Sequence, residues 1–219
     1  MTMESSTTGS DIKGSVDIDS TLIEGIVGDR PIVWRELFSA DRPVEIEVGS
    51  GKGLFLANAA ARRPDRSFVG LEVSRKYARE AAARIAKAGL TNVKLMRGDA
   101  RIFFDRPVPP ASVETIHVYF PDPWWKRRHR KRRIFNDWFV DRVIVSLVRG
   151  GELRLATDVS EYYESIIKLI ARRAELIAVD FPEPGEPIAG EADYLTNFER
   201  KYRIEGRSIY RACYQKTNG

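Results

Sequence analysis

The chain has 219 residues, which suits one domain, and its 43% hydrophobic content is ordinary for a globular protein that buries a core. Its net charge of +5 and sequence pI of about 9.3 come largely from one run of seven cations in residues 126–133, so the remainder is roughly neutral. A local basic patch on a neutral body indicates a polyanionic partner at one face. A solvated charged loop or a sorting signal is the alternative.

The single cysteine, Cys213, excludes an intrachain disulfide, and no Cys/His cluster has the spacing of a metal site. No apolar stretch is long enough to span a membrane, and the N-terminus lacks the basic start and apolar core of a signal peptide. We therefore expect a cytoplasmic protein with no metal and no membrane partner, either a monomer or a homodimer.

The first 20 residues are rich in Ser, Thr, Gly and Asp and have little to bury. We expect a mobile leader over residues 1–30 and one domain over residues 31–219. A short amphipathic segment at residues 32–38 is expected to pack on that domain.

From residue 44 onwards, strand patterns alternate with helical patterns. Strands are predicted at residues 44–48, 67–72, 92–97, 114–120, 152–156, 176–181 and 208–215. Helices are predicted at residues 54–62, 75–88, 134–148 and 160–174, and an exposed, mobile Pro/Gly/Glu loop at residues 182–189. This alternation predicts an α/β fold with a mostly parallel, seven-stranded sheet and helices on both faces.

Polar residues follow the predicted strands at the edge where parallel sheets bind ligands. Glu47 and several glycines end the first strand, and an acid follows each of the next three: Glu72, Asp99 and Asp122. Asp158 follows the fifth. Because the carboxyl ends of parallel strands share one edge, these acids are predicted to line one site.

The first of these strands ends in Glu47-Val-Gly49-Ser-Gly51-Lys-Gly53, a glycine turn that lets the backbone approach a ligand closely. Dinucleotide enzymes favour G-x-G-x-x-G, whose third glycine would fall at Leu54. A carboxylate at Glu47 suits a cofactor with a cationic amino-acid end better than a pyrophosphate, which it would repel.

Two further acids match the rest of such a cofactor. Glu72 is placed to accept from both hydroxyls of a ribose, at roughly 1.5–3 kcal/mol for each charge-assisted bond, and Asp99 to bond the amine of an adenine. Together these groups predict S-adenosylmethionine, held by Glu47, Gly49, Gly51, Gly53, Glu72, Asp99 and Ala100. Helix capping or surface ion pairing is the alternative for Glu47 and Asp99.

Five motifs carry a resemblance to a known family. They are a glycine motif at residues 45–53, a Gly-x-Glu at 70–72, a Phe-Pro-Asp-Pro-Trp with a basic run at 120–133, a Thr-Asp at 157–158 and a Thr-x-Phe/Tyr-Glu at 196–199. Many methyltransferases share the first two, whereas the third and the last together are specific to the bacterial tRNA (guanine-N7-)-methyltransferases. The chain resembles that family from about residue 34 to residue 216, although the family commonly has His where this chain has Trp125.

The resemblance implies a Rossmann-like, S-adenosylmethionine-dependent methyltransferase fold and N7 methylation of a guanine in the tRNA variable loop, position 46. It implies that Asp122 is catalytic. The substrate-binding residues that it implies are Lys126, Asp158, Thr196, Asn197, Phe198 and Glu199. The RNA backbone is expected to contact the basic run, namely Arg127, Arg128, His129, Arg130, Lys131, Arg132 and Arg133.

Guanine N7 is an in-plane acceptor with a free lone pair, so its methylation needs orientation and no base. We expect Asp122 to accept from the donors on the Watson–Crick edge and to offset the charge that grows on the ring. Trp124 and Trp125 are expected either to stack on a base or to pack in the core.

Three other functions compete with this prediction. One is a methyltransferase of the same fold that acts on another substrate, above all another RNA, and one is a catalytically silent RNA-binding relative. The third, a nicotinamide dehydrogenase, is disfavoured by Leu54 and by the lack of a histidine placed for hydride transfer, since His117 and His129 are the only two. A cofactor-binding titration separates an enzyme from a silent module.

Overall fold

A computed structural model describes residues 18–24, 31–105, 108–182 and 196–217, except for the side chains of Asn197, Arg200 and Arg203. Its described residues form one mixed sheet of eight strands. The strands are β1 (Leu22–Glu24), β2 (Val44–Val48), β3 (Ser67–Glu72), β4 (Val93–Arg97), β5 (Val113–Tyr119), β6 (Leu147–Thr157), β7 (Leu176–Val179) and β8 (Tyr210–Lys216). The predicted α/β class is therefore confirmed, with one strand more than the seven predicted.

The strands lie in the order β1-β4-β3-β2-β5-β6-β8-β7. All neighbours are parallel except that β8 runs antiparallel to both β6 and β7. The strand order reverses between β2 and β5. The chain continues from β2 to β3 on one side of this pair and from β5 to β6 on the other side. In open α/β sheets, ligands bind in the crevice outside the carboxyl ends at such a switch point.

Seven α-helices are described, together with a 3₁₀ segment at Arg127–Arg132. They are α1 (Trp34–Phe38), α2 (Leu54–Arg62), α3 (Arg75–Lys87), α4 (Ala100–Asp105), α5 (Asp137–Ser146), α6 (Ser160–Ile170) and α7 (Asn197–Ile204). Two apolar clusters show that both faces of the sheet are covered. One joins the sheet to α2 and α3, and the other joins it to α4, α5 and α6.

Part of the expected leader belongs to the folded domain. Leu22 is buried, β1 pairs with β4 in parallel register, and the Lys94 ammonium donates to the Ser20 carbonyl at 2.5 Å. A strand of three residues is too short to show an alternating pattern, so its sequence does not reveal it. Residues 1–17 and 25–30 lie outside the described residues, as does the predicted mobile loop beyond residue 182.

The boundary between α5 and β6 also differs from the prediction. Helix α5 ends at Ser146 and β6 begins at Leu147, where a helix to residue 148 was expected. Leu147 pairs with Val113 of β5, and the register shifts before Thr115 pairs with Glu152. Gly150, with φ of +76°, allows this irregular start of the strand, so the glycines lie inside β6 and do not precede it.

Gly53 fixes the packing of α2 against α3. Its φ is +71°, and a Cβ there would lie 2.8 Å from the Ala81 Cβ. Gly89 has a similar φ of +66° but no atom within 4 Å of the corresponding position. Replacement of either by Ala introduces backbone strain, whereas only Gly53→Ala also overpacks the helix contact.

We therefore expect Gly53→Ala to lower the free energy of unfolding by about 1–3 kcal/mol more than Gly89→Ala does. Urea denaturation of the two variants beside the parent protein measures that difference. Equal losses in the two variants would show that the α2–α3 contact relaxes without cost.

Candidate active site

Two cavities open at the carboxyl edge of the sheet, on either side of the glycine turn. The larger cavity, of about 410 Å³, lies over the ends of β3, β4 and β5. Six of the predicted site residues line it: Gly49, Glu72, Asp99, Ala100, Asp122 and Arg132. The smaller cavity, of about 280 Å³, lies between the glycine turn, α2 and α7 and includes Glu47. Gly49 lines both cavities, so a ligand that crosses it reaches both.

The glycine turn is held against β3 and leaves room above it. The amides of Gly49 and Ser50 both donate to the Leu71 carbonyl, at 2.8 and 2.9 Å. A Cβ at Gly49 or Gly51 would meet no atom within 4 Å, so the space beside both residues is open to a ligand. Gly53, predicted to bind with them, lines neither cavity and instead packs on α3.

Glu72 is oriented by the backbone around it. The side chain is 8% exposed, its Oε2 accepts from the Gly51 amide at 2.8 Å, and its Oε1 accepts from the Ser74 amide at 2.7 Å. Each carboxylate oxygen keeps a further lone pair. A carboxylate fixed at the floor of the larger cavity can therefore accept from two adjacent hydroxyls.

Asp99 forms the ion pair that the sequence left open as an alternative. Its Oδ1 accepts from the Arg101 amide at 2.9 Å, and its Oδ2 accepts from the Arg101 guanidinium at 2.5 Å. The hydrogen bond from Arg101 lowers the pKa of Asp99 below its usual value. Asp99 still lines the larger cavity, so the ion pair holds an ionised acceptor beside the ligand space.

Glu47 is the most unusual acid of the site. It is 3% exposed, and its Oε2 has no hydrogen-bond partner among the described residues. Burial and, second, the charge of Glu72 raise the pKa of Glu47 well above its ordinary value. A buried carboxylate without a partner is costly unless a cation approaches it. The smaller cavity is therefore suited to the cationic end of a ligand.

A buried hydrogen-bonded chain supports the floor of the smaller cavity. Tyr119 lines that cavity, and its hydroxyl lies 2.9 Å from the Nδ1 of His117. The Nε2 of His117 lies 2.8 Å from Glu45. Because burial lowers the pKa of His117, the imidazole is neutral and donates from Nε2 to the Glu45 carboxylate. The Tyr119 hydroxyl then donates to Nδ1.

Asp122 lies on a strained loop between β5 and the basic run, which we call the aspartate loop (residues 120–124). Phe120 and Trp124, at its two ends, have φ of +51° and +42°. Residues with side chains rarely adopt such values, and they persist where surrounding contacts enforce them, often at active sites. Asp122 is exposed and lines the larger cavity beside Trp124.

The basic run splits into two environments. Besides Arg132, which is also exposed, five of its cations are exposed in or next to the 3₁₀ segment, namely Lys126, Arg127, Arg128, Arg130 and Lys131. Arg132 lies 4.9 Å over the Trp124 ring, and His129 meets the edge of the same ring at 5.9 Å. Arg133 is half-buried and turns toward the protein interior. Trp125 is 62% exposed, so it does not pack in the core.

The implied substrate-binding residues near the C-terminus are held by arginines. Asp158 forms an ion pair of 2.9 Å with Arg207, and Glu199, fully buried, forms one of 2.5 Å with Arg211. Thr196 accepts from the Glu199 amide at 3.0 Å at the start of α7. Phe198 lines the smaller cavity and packs against Phe120, whereas the Asn197 side chain lies outside the described residues.

The sequence did not predict seven residues that line the smaller cavity, among them Lys52, Tyr119 and Lys201. Lys52 lies within the glycine motif and Tyr119 at the end of a predicted strand, so their positions carried a signal. Lys201 carried none, because α7 was not predicted as a helix. Its contact with the cavity depends on how α7 crosses the end of the sheet.

Within the described ranges, no group of three His, Cys, Asp or Glu side chains is arranged to hold a metal ion. No helix in that part of the chain has the length and apolar character needed to cross a membrane.

Comparisons with solved structures give the fold. The chain is similar to the aminoglycoside resistance methyltransferase NpmB1, with a TM-score of 0.60 and 19% identity over 84% of this chain and 92% of that one. It is also similar to the 16S rRNA methyltransferase KamB, again with a TM-score of 0.60 and 19% identity, over 84% and 93% of the two chains. At these identities the likeness establishes a Rossmann-like methyltransferase fold and nothing about the substrate.

Sequence comparisons give the family. A family model described as "Putative methyltransferase" matches residues 41–212. The tRNA (guanine-N(7)-)-methyltransferase of Rhodopirellula baltica is 42% identical over 92% of this chain and 76% of its own. The enzyme of that name from Myxococcus xanthus is 34% identical over 85% of this chain and 90% of its own. Since these matches span most of both chains, this protein belongs to the tRNA (guanine-N(7)-)-methyltransferase family.

Proposed function

We propose that this chain methylates N7 of a guanine in tRNA, at position 46 of the variable loop, with S-adenosylmethionine as the methyl donor. The observation that carries the proposal is the lining of the larger cavity. Asp122 lies there with Glu72 and Asp99, so an acceptor for a base and two acceptors for a nucleoside share one space. The names of the relatives support guanine in tRNA over another RNA or a silent RNA-binding function.

The residues of both cavities fit S-adenosylmethionine, which supplies a methyl group on a positively charged sulfur. Glu47 has an unpartnered, buried oxygen for the ammonium of the amino-acid end. Glu72 accepts from the ribose hydroxyls, and Asp99 accepts from the adenine amine. Gly49, common to both cavities, leaves space for the ligand to pass between them.

Asp122 acts on the guanine and not on the cofactor. Its carboxylate accepts from the N1 and N2 donors of the base, which holds the ring in the larger cavity. The bound donor would supply the methyl group, with its sulfur keeping the electrons of the C–S bond, and methylation at N7 would leave the ring positively charged. A fixed negative charge at Asp122 offsets that charge, and no base is needed to remove a proton.

The five exposed cations of the basic run hold the RNA backbone beside the cavity. They lie on, or directly before, one short 3₁₀ segment that follows the aspartate loop, and Trp125 stands exposed between the two. Exposed arginine and lysine side chains are suited to phosphates, and an exposed indole is suited to an unstacked base. The arrangement places phosphate contacts next to the residue that takes the base.

If these five cations each neutralise one phosphate, a plot of the logarithm of the tRNA association constant against the logarithm of the salt concentration has a slope of roughly −3.5 to −4.5. The double variant Arg127→Gln/Lys131→Gln is expected to make the slope less steep by about 1.4–1.8. Lys168→Gln, on α6 and 81% exposed, is the control that keeps the slope. Filter-binding titrations at several salt concentrations measure it, and a slope near zero would exclude the phosphate contacts.

Transfer of labelled methyl groups to unmodified tRNA transcripts tests the function itself. Chemical cleavage at N7-methylguanosine then locates the product. Label at guanine 46, lost in a transcript with adenine at that position, is the expected result. Label at another nucleotide would contradict the proposed position, and label in no tRNA despite cofactor binding would contradict the substrate. We place the activity in the cytoplasm, where unpaired Cys213 stays reduced.

A further inference from the structure

We propose that Arg133 is a positioning residue that holds the aspartate loop in its strained conformation, and that it takes no part in binding RNA. The inference rests on the proposed function, because it assigns a role in the same reaction. It separates Arg133 from the six cations that precede it in the sequence and look equivalent there.

The first observation is the direction of the Arg133 side chain. Its guanidinium lies 4.5 Å from the centre of the Tyr162 ring. Tyr162 belongs to α6, is 1% exposed, and packs edge-on against Phe135 in the apolar core. A guanidinium stacked on a buried ring has a fixed position, because both its planar group and its platform are held.

The second observation is the hydrogen bond that the same guanidinium makes. The Nε of Arg133 donates to the Pro123 carbonyl at 2.7 Å. Pro123 is the neighbour of Asp122, so the bond fixes the peptide between Pro123 and Trp124, one residue beyond the carboxylate. A charged donor at this distance makes one of the stronger hydrogen bonds found in proteins.

The ends of the loop have contacts of their own, Phe120 with Phe198 and Trp124 with Arg132. The third observation is the lack of backbone hydrogen bonds in the middle of the loop. In the part of the chain that the structure describes, no backbone–backbone hydrogen bond joins residues 121–125 to another residue. Pro121 and Pro123 have no amide hydrogen to donate. The loop is also strained at both ends, at Phe120 and Trp124, so it needs a contact from outside to keep its conformation. The Arg133 guanidinium supplies that contact from the core.

A matched pair of variants tests the proposal. Arg133→Gln is expected to lower kcat for tRNA methylation by about 10- to 100-fold, because a shift of about 1 Å in a positioned group has an effect of that size. Its salt slope for tRNA binding and its affinity for S-adenosylhomocysteine stay at the parent values. Arg127→Gln, an exposed cation of the same segment, is expected to show a different pattern. Its salt slope becomes less steep by about 0.7–0.9 and its KM for tRNA rises.

Two further measurements keep the test decisive if Arg133→Gln folds poorly. Arg133→Lys keeps the charge but not the planar group, and is expected to lose kcat while it retains the fold, judged by S-adenosylhomocysteine binding. Methylation by Arg133→Ala is expected to rise when ethylguanidinium is added at millimolar concentration. Full kcat in Arg133→Lys would overturn the proposal.

The proposal is likewise overturned if Arg133→Gln keeps its kcat, or if it changes the salt slope as Arg127→Gln does. Failure of the proposed function has a different signature, since the parent protein would then leave tRNA unmethylated. The two ideas therefore fail separately.

Discussion

Replacement of Asp122 with Asn is expected to lower kcat for tRNA methylation by roughly 10²–10³-fold, a loss similar to that of other preorganised charge contacts at reacting groups. The amide keeps the size of the side chain but has no negative charge and one oxygen acceptor in place of two. It can neither hold both donors of the guanine edge nor offset the charge on the methylated ring. Rates measured at saturating tRNA and S-adenosylmethionine give the value.

The same variant is expected to bind S-adenosylmethionine within about threefold of the parent protein, because Asp122 meets the base and not the donor. Asp65→Asn is the control, since Asp65 is 74% exposed in a turn between α2 and β3. Its kcat should match that of the parent. Comparable losses of kcat and of cofactor affinity in Asp122→Asn would place Asp122 in the cofactor site and refute the role given to it here.

Glu47→Gln is expected to weaken S-adenosylmethionine binding by roughly 10- to 100-fold and, at the same time, to stabilise the cofactor-free protein. The loss of affinity follows from a missing charge-assisted hydrogen bond, at about 1.5–3 kcal/mol. The gain in stability follows from the environment of the carboxyl group. It is buried without a described partner for Oε2, and its pKa is raised by that burial and by Glu72.

The pH dependence fixes the sign of both effects. Because the folded chain holds the Glu47 proton more tightly than the unfolded chain, this group contributes to the free energy of unfolding. The contribution is fully present below the ordinary glutamate pKa. It is lost as pH rises through the raised pKa. Above that pKa the glutamine variant should exceed the parent in free energy of unfolding by about 1–3 kcal/mol. Binding of the cationic cofactor should strengthen with pH in the parent over the same range and not in the variant.

Urea denaturation and calorimetric titration, each repeated over a series of pH values, measure the two effects. Glu164→Gln, at an exposed site on α6, is the control and should leave both curves unchanged. A glutamine variant that is less stable than the parent at every pH of the series would mean that Glu47 has a stabilising partner in the absence of cofactor.

The sequence predicts the order of strands and helices and the edge where the acids meet, because each acid directly follows a strand. That relation depends only on local spacing and on the parallel arrangement of the strands. It accounts for Glu72, Asp99 and Asp122, which all line the larger cavity. The burial of Glu47 does not follow from the alternation of β2, because all five residues of that strand are buried.

Other features depend on contacts between distant segments and have no local signal. Strand β1 is visible only through its pairing with β4, and Lys201 reaches the smaller cavity only because α7 crosses the sheet. The basic run gives the clearest case. Arg133 looks like its six basic neighbours in the sequence, and only the position of Tyr162, 29 residues further on, turns its side chain inward.

Strand β8 is the last strand of the chain but lies between β6 and β7 in the sheet. While the protein is being synthesised, β6 therefore keeps an open edge, and β7 has no neighbour, until residues 210–216 have left the ribosome. Arg207 and Arg211, which hold Asp158 and Glu199, arrive with the same segment. The site is thus completed only after this segment has been synthesised, and a nascent chain that stops short of β8 exposes an unpaired strand edge of the kind that leads to aggregation.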